Sequence, residues 1–204
     1  MLDKFIHTFY GYGRYDTPIW FLGMEEGGSS LEQRICVWNE RGQRELDNAR
    51  EFHLALGAGT EFFTKPTKLQ KTWGRLIRLL LSTRGEPVTY EAVLECQRES
   101  FYKEAALIEL FPLPSPNTRV WPYEQWWPNR AAYRRALVDW RLAHIQERID
   151  QYNPQAVICY ASSYKMWWQR LRGTKVIITH HPASIRKGNT HEYFEQIGRE
   201  LRQR

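Results

Sequence analysis

Three short segments hold residue types that could do chemistry together. The first is Gly23-Met-Glu-Glu-Gly-Gly28, where two adjacent acids, Glu25 and Glu26, stand between glycines. Carboxylates at a strand end can serve as general bases or hold a metal. Glycines let the backbone come close to a ligand. A polar turn ahead of a helix would account for the same residues. Two carboxylates repel a phosphate, which argues against a simple phosphate cradle. The segment also lacks the Gly-Lys-Ser/Thr ending of a P-loop and the glycine spacing of a dinucleotide fingerprint.

The second segment is Glu109-Leu-Phe-Pro-Leu-Pro-Ser-Pro-Asn-Thr-Arg119. Its prolines force an extended path. An acid such as Glu109 is costly to bury without a partner or a task; a salt bridge to Arg119 or another basic residue would be the structural use. The third is Val176-Ile-Ile-Thr-His-His-Pro-Ala-Ser184. A histidine at a strand end, held by a following proline, suits acid–base or electrostatic work. A histidine there can equally be structural.

Each segment follows a short apolar run. Runs at 19–22, 105–110, 156–160 and 175–179 are expected to be buried strands. Their near-continuous hydrophobicity suits strands covered on both faces, as in parallel sheets. Helices are expected between them. Ser30-Leu-Glu-Gln33 reads as a capping box for a helix through Trp38. Residues 67–81 place Leu69, Trp73, Leu76, Ile77 and Leu80 on one face. Thr89 is a candidate cap for a helix through Cys96, and Ser162 or Ser163 for one through Trp167 and Leu171. Residues 130–152 form a long amphipathic pattern broken by Asn153-Pro154, and Asn189-Thr-His-Glu192 caps a last helix. Surface loops are expected at 57–66, 112–128 and 182–189. Strands alternating with helices imply an α/β fold with ligands bound at the carboxyl ends of the strands.

The chain of 204 residues fits one domain, 1–204. Apolar content is 42% and charged content 25%, as in an ordinary globular protein; aromatic content of 14% is high. The net charge of +6 fits a polyanionic partner such as nucleic acid and fits a merely basic surface too. Arginines near rings, as at Arg119-Val-Trp121, Arg134-Arg135 and Trp167-Trp168-Gln-Arg170, suit phosphate contact with base stacking. Cys36, Cys96 and Cys159 are widely spaced, so neither a disulfide scaffold nor a zinc site is expected. With reduced thiols, no leader-like N-terminus and no long apolar run, the chain is expected to be cytoplasmic and away from membranes.

The segment Leu22-Gly-Met-Glu-Glu-Gly27 resembles the first motif of the uracil-DNA glycosylase superfamily, and His181-Pro-Ala-Ser184 resembles its second. The stretch from Phe111 to Arg119, with Asn117, is similar to the proline- and arginine-bearing loop of several branches. Val157-Ile-Cys-Tyr-Ala161 looks like the third strand, with Tyr160-Ala161 where members often have Leu-Gly. The motifs run in family order from Ile19 onward. The resemblance implies a three-layer α/β/α sandwich around a four-stranded parallel sheet, acting on DNA by turning one nucleotide into a pocket. It puts Glu25 where a water-activating acid sits and His181 where a histidine stabilises the departing base. Gly23, Met24, Glu26 and Glu109 would contact substrate, as would Phe111, Asn117, His180 and Ser184. Arg119 would contact DNA, and in the loop 183–188 Ile185 or Arg186, with Lys187 beside them, would wedge into the duplex.

Glu26 replaces the family's usual proline, and Glu109 stands near its base-reading asparagine. An ionised carboxylate only accepts hydrogen bonds and cannot match uracil O4. The implied protein is a monomeric DNA glycosylase without metal, cofactor or iron–sulfur cluster. A non-catalytic nucleic-acid-binding protein on the same fold and a metal-dependent hydrolase are the alternatives.

Overall fold

Large and β-branched side chains in the four apolar runs favour a pleated, doubly covered ladder, and all four runs are strands. The computed structural model describes residues 1–28, 30–117, 119–184 and 190–203. Its strands are β1 (Gly11–Gly13), β2 (Ile19–Gly27), β3 (Leu46–Asp47), β4 (Ala106–Ser115), β5 (Ala156–Tyr160) and β6 (Lys175–Thr179). They form one mostly parallel sheet in the order β3-β1-β4-β2-β5-β6. Among the described residues the sheet therefore has six strands, not the four expected. The two additions are three and two residues long and carry no apolar run to betray them. β1 pairs antiparallel to β4 and parallel to β3, while β4, β2, β5 and β6 are mutually parallel.

Two strands run further than their apolar cores. β2 continues through both glutamates to Gly27. β4 absorbs Pro112 and Pro114, which were expected in a loop. The ladder explains this: between the pairs Glu25–Phe111 and Gly27–Ser115, β2 advances two residues while β4 advances four. The prolines fall inside that slip, where the ladder bonds they cannot donate are absent. β6 lies at the sheet's edge, so Val176 to Ile178 are half-buried.

Among the described residues the helices are α1 (Leu2–Thr8), α2 (Leu31–Glu40), α3 (Ala49–Leu56), α4 (Lys71–Arg84), α5 (Tyr90–Glu99), α6 (Phe101–Glu104), α7 (Arg130–Tyr152), α8 (Lys165–Trp168) and α9 (Thr190–Arg202). The expected Ser30 capping box does not form. Ser30 adopts a left-handed conformation (φ 67°), and its hydroxyl makes no capping bond to α2. α4 starts later than expected because Gln70, whose side chain accepts from Trp73 N–H, caps it. Thr89 caps α5 through Ala92 N–H, and Asn129 caps α7. Neither Ser162 nor Ser163 caps a helix: the 3₁₀ turn Ser162–Tyr164 precedes a four-residue α8. Asn189 lies outside the described residues. No described helix is long and apolar enough to cross a membrane.

The core grows from both faces of β2. Trp20 meets Tyr152 of α7, and Phe21, pointing the other way, meets Phe101 of α6. α9 packs closely on α4, and Gly198 makes this possible: a Cβ there would lie 2.3 Å from the Leu79 carbonyl oxygen. Arg141 of α7 is fully buried. It donates to the carbonyls of Leu110 (2.5 Å), Ile6 (2.6 Å), Glu109 (2.8 Å) and Phe9 (3.0 Å), with its guanidinium 3.7 Å from the Tyr10 ring centre. One side chain thus ties the chain's start to the β4 segment that carries Glu109.

Candidate active site

β2 is the sheet's branching point. The chain crosses from it to β3 and β4 on one side and later to β5 on the other. In an open parallel sheet a crevice forms at the carboxyl ends where connections diverge. A cavity of about 570 Å³ lies there. Glu25 and Glu26 of β2, Glu109 of β4, Tyr160 of β5 and His181 after β6 all line it, so every parallel strand contributes. Phe62, Trp73, His53 and Arg34 line the rest of the wall, with Met24 and Asn117.

The two adjacent glutamates have separate partners. Arg34 of α2 grips the Glu26 carboxylate with two bonds of 2.7 and 3.1 Å, and Tyr12 donates to it at 3.0 Å. His53 Nε2 stands 3.4 Å away, while its Nδ1 is 2.9 Å from the Ala58 carbonyl. Burial pushes the Glu26 carboxyl up, but the Arg34 charge and His53 outweigh it and hold the pKa at about 2. Glu26 is a fixed anion and so a weak base. Glu25 is bound instead by α7: its Oε1 lies 2.8 Å from Arg134 and 3.2 Å from Arg130 Nε. Its buried Oε2 accepts no hydrogen bond among the described residues.

Glu109 differs from both. Its alternative use, a salt bridge to Arg119, is not made. The Tyr160 hydroxyl donates to Oε1 at 3.1 Å, and the buried Oε2 has no hydrogen-bond partner among the described residues. The nearby cations are engaged: Arg34 holds Glu26, and Arg141 serves backbone carbonyls. Burial, and then the charge of Glu26, push the Glu109 pKa up to about 8 against the opposing Tyr160 bond. Near neutral pH this carboxyl therefore keeps its proton, giving one donor and one acceptor side by side. Gly23 is required opposite it, because a Cβ would lie 2.2 Å from Tyr160 Oη and 2.6 Å from Glu109 Oε2.

His181 is exposed at the cavity rim, with its ring edge-on to Tyr160 at 5.6 Å. Its Nδ1 accepts from Ala183 N–H at 3.1 Å, which leaves the proton of the neutral ring on Nε2. Although the residue is exposed, partial desolvation of the ring by the surrounding protein, then the charge of Arg75, lowers its pKa and favours that neutral form. The Ser184 hydroxyl donates to the His181 carbonyl at 2.7 Å and so shapes this turn. No family model matches the chain, and no curated protein matches it.

The remaining expected site residues are placed elsewhere. His180 is buried against Tyr193 and Phe194 of α9, away from the cavity wall. Phe111 is a core residue, packed on Tyr133 and Trp167. Arg119 is exposed in the turn that Asn117 Oδ1 organises by accepting from Arg119 and Val120 N–H. Ile185, Arg186 and Lys187 lie outside the described residues. Among the described residues no three His, Cys, Asp or Glu side chains converge as metal ligands. Sequence reasoning passed over Tyr160, Arg34 and His53. Only Tyr160 left a signal, as a tyrosine ending a buried strand at the same level as Glu109.

Proposed function

We propose that this chain is a glycosylase-like hydrolase that receives a base turned out of DNA and cleaves its N-glycosidic bond. One observation carries the reading: Glu25, Glu109 and His181, from three different strand ends, line one cavity at the branching point of the sheet. Helices against both faces of that sheet suit the three-layer sandwich this activity calls for.

The roles follow from protonation and geometry. Glu109, holding its proton, offers the base edge an O–H donor and a carbonyl acceptor, which an ionised carboxylate could not. Rings such as Trp73, Phe62 and Tyr160 supply apolar walls for a flat heterocycle. Hydrolysis adds a water oxygen to the anomeric carbon, while the base leaves with the electron pair of the broken bond and gains one water proton. His181 Nε2–H is the donor for the charge that develops on the base. Glu25, held at the cavity wall by Arg130 and Arg134, places the water.

The test is base release from oligonucleotides carrying uracil, hypoxanthine, xanthine and oxidised bases. At least one is expected to be released, with His181→Ala slowing release about 100-fold and Glu25→Gln comparably. Release from none of them would remove the enzymatic reading. A second reading, a non-catalytic nucleic-acid-binding protein on this fold, is favoured by the two arginines that occupy Glu25. It predicts salt-dependent DNA binding with no base released.

A further inference from the structure

On the α7 side of Glu25 lies a second cleft, of about 430 Å³, lined by Arg130, Ala131, Arg134, Arg135, Tyr164 and Trp167. Its charge is lopsided. Three guanidinium groups meet there, and the acid bound to its wall is Glu25, shared by Arg130 and Arg134. Arg135 is exposed and makes no ion pair among the described residues. The next acid along the helix, Asp139, is taken by Arg170 at 2.7 Å. The first turn of α7 contains no acidic residue, although acids there would be favoured by the helix dipole and cations are disfavoured. Concentrated positive charge at that place carries a standing electrostatic cost that an anion would relieve.

The aromatic half of the cleft is equally ordered. Arg134 lies over the Tyr164 ring at 5.0 Å and donates to its hydroxyl at 2.7 Å. Tyr164 in turn stacks on Trp167, with centroids 5.2 Å apart and planes 13° from parallel. Trp167 is half-exposed. A guanidinium fork binds a phosphate in its own plane, and half-exposed rings take bases in a sequence-tolerant way.

We infer that this cleft binds one phosphate-and-base step of a single nucleic-acid strand, with the phosphate on the arginine side and the flanking base against Trp167. The inference shares the nature of the ligand with the proposed function but does not need base excision. The two sites adjoin at Glu25, whose carboxylate lines the cavity while binding the arginines of the cleft.

The experiment is fluorescence anisotropy of a labelled single-stranded oligonucleotide of ordinary bases, titrated at several salt concentrations. No bond is cleaved, so failure of excision and failure of this site are read separately. Arg135→Ala is expected to weaken binding and to reduce the slope of log affinity against log salt by about 0.7, the value for one phosphate contact on a single strand. Trp167→Leu is expected to weaken binding about tenfold at every salt concentration with the slope unchanged. Arg135 is exposed, so its variant reports without a folding defect; the melting curve of Trp167→Leu checks the other. Wild-type affinity and slope in Arg135→Ala, or no binding by the wild-type chain at low salt, would overturn the assignment.

Discussion

At the scale of single residues, three glutamates in one cavity have three different fates because their neighbours differ. Glu26 has a buried arginine and ionises; Glu25 has two arginines; Glu109 has a tyrosine hydroxyl and keeps its proton. The raised pKa of Glu109 links the site to stability with a definite sign. Between the ordinary carboxyl pKa of 4.5 and about 8 the folded state binds the proton and the unfolded state does not. Stability therefore falls as pH rises across that window, by on the order of 5 kcal/mol in all. Glu109→Gln removes the titration and keeps a donor and an acceptor. It is expected to raise the melting temperature at pH 8, with little change at pH 4.5. An equal shift at both values would mean that Glu109 ionises normally. The acids themselves were legible in the sequence because apolar runs lead directly to them. Their charge states were not, because Arg34, Tyr160 and Arg134 come from distant elements that no local spacing announces.

Elements tell a similar story at the next scale. Long apolar or amphipathic stretches, such as the one that becomes α7, declared themselves, since burial of a continuous face leaves a periodic record. β1 and β3 did not, because strands of three and two residues gain their place from partners in β4 and in each other. The prolines of β4 misled for a physical reason: they forbid ladder bonds, yet the register slip of β4 against β2 makes those bonds unnecessary. The α4–α9 contact yields a prediction that opposes helix propensity. Alanine is a better helix former than glycine by about 1 kcal/mol. Gly198→Ala is nevertheless expected to destabilise the protein by about 1–3 kcal/mol, the usual cost of overpacking, because its Cβ would meet a backbone carbonyl at 2.3 Å. A denaturant midpoint that rises in this variant would show that the helices can separate cheaply.

For the molecule as a whole, Arg141 is the joint between the α1 segment and the site. Its replacement by leucine leaves four carbonyls, three of them buried, without this donor and is expected to cost about 3 kcal/mol or more. Arg141→Lys is expected to recover only part of that, since one ammonium offers three hydrogens and no planar fork. Urea unfolding of both variants measures the difference, and two variants as stable as the wild-type chain would contradict it. The same joint sets a timetable during synthesis. The carbonyls of Ile6 and Phe9 wait for a donor 135 and 132 residues further along. At cellular elongation rates that is roughly ten seconds, during which Phe5 and Ile6, buried in the finished protein, have no completed shelter. Helix α1 is therefore made early and fastened late, and a nascent chain stalled before residue 141 would offer that helix to chaperones and proteases while most of the sheet has already been made.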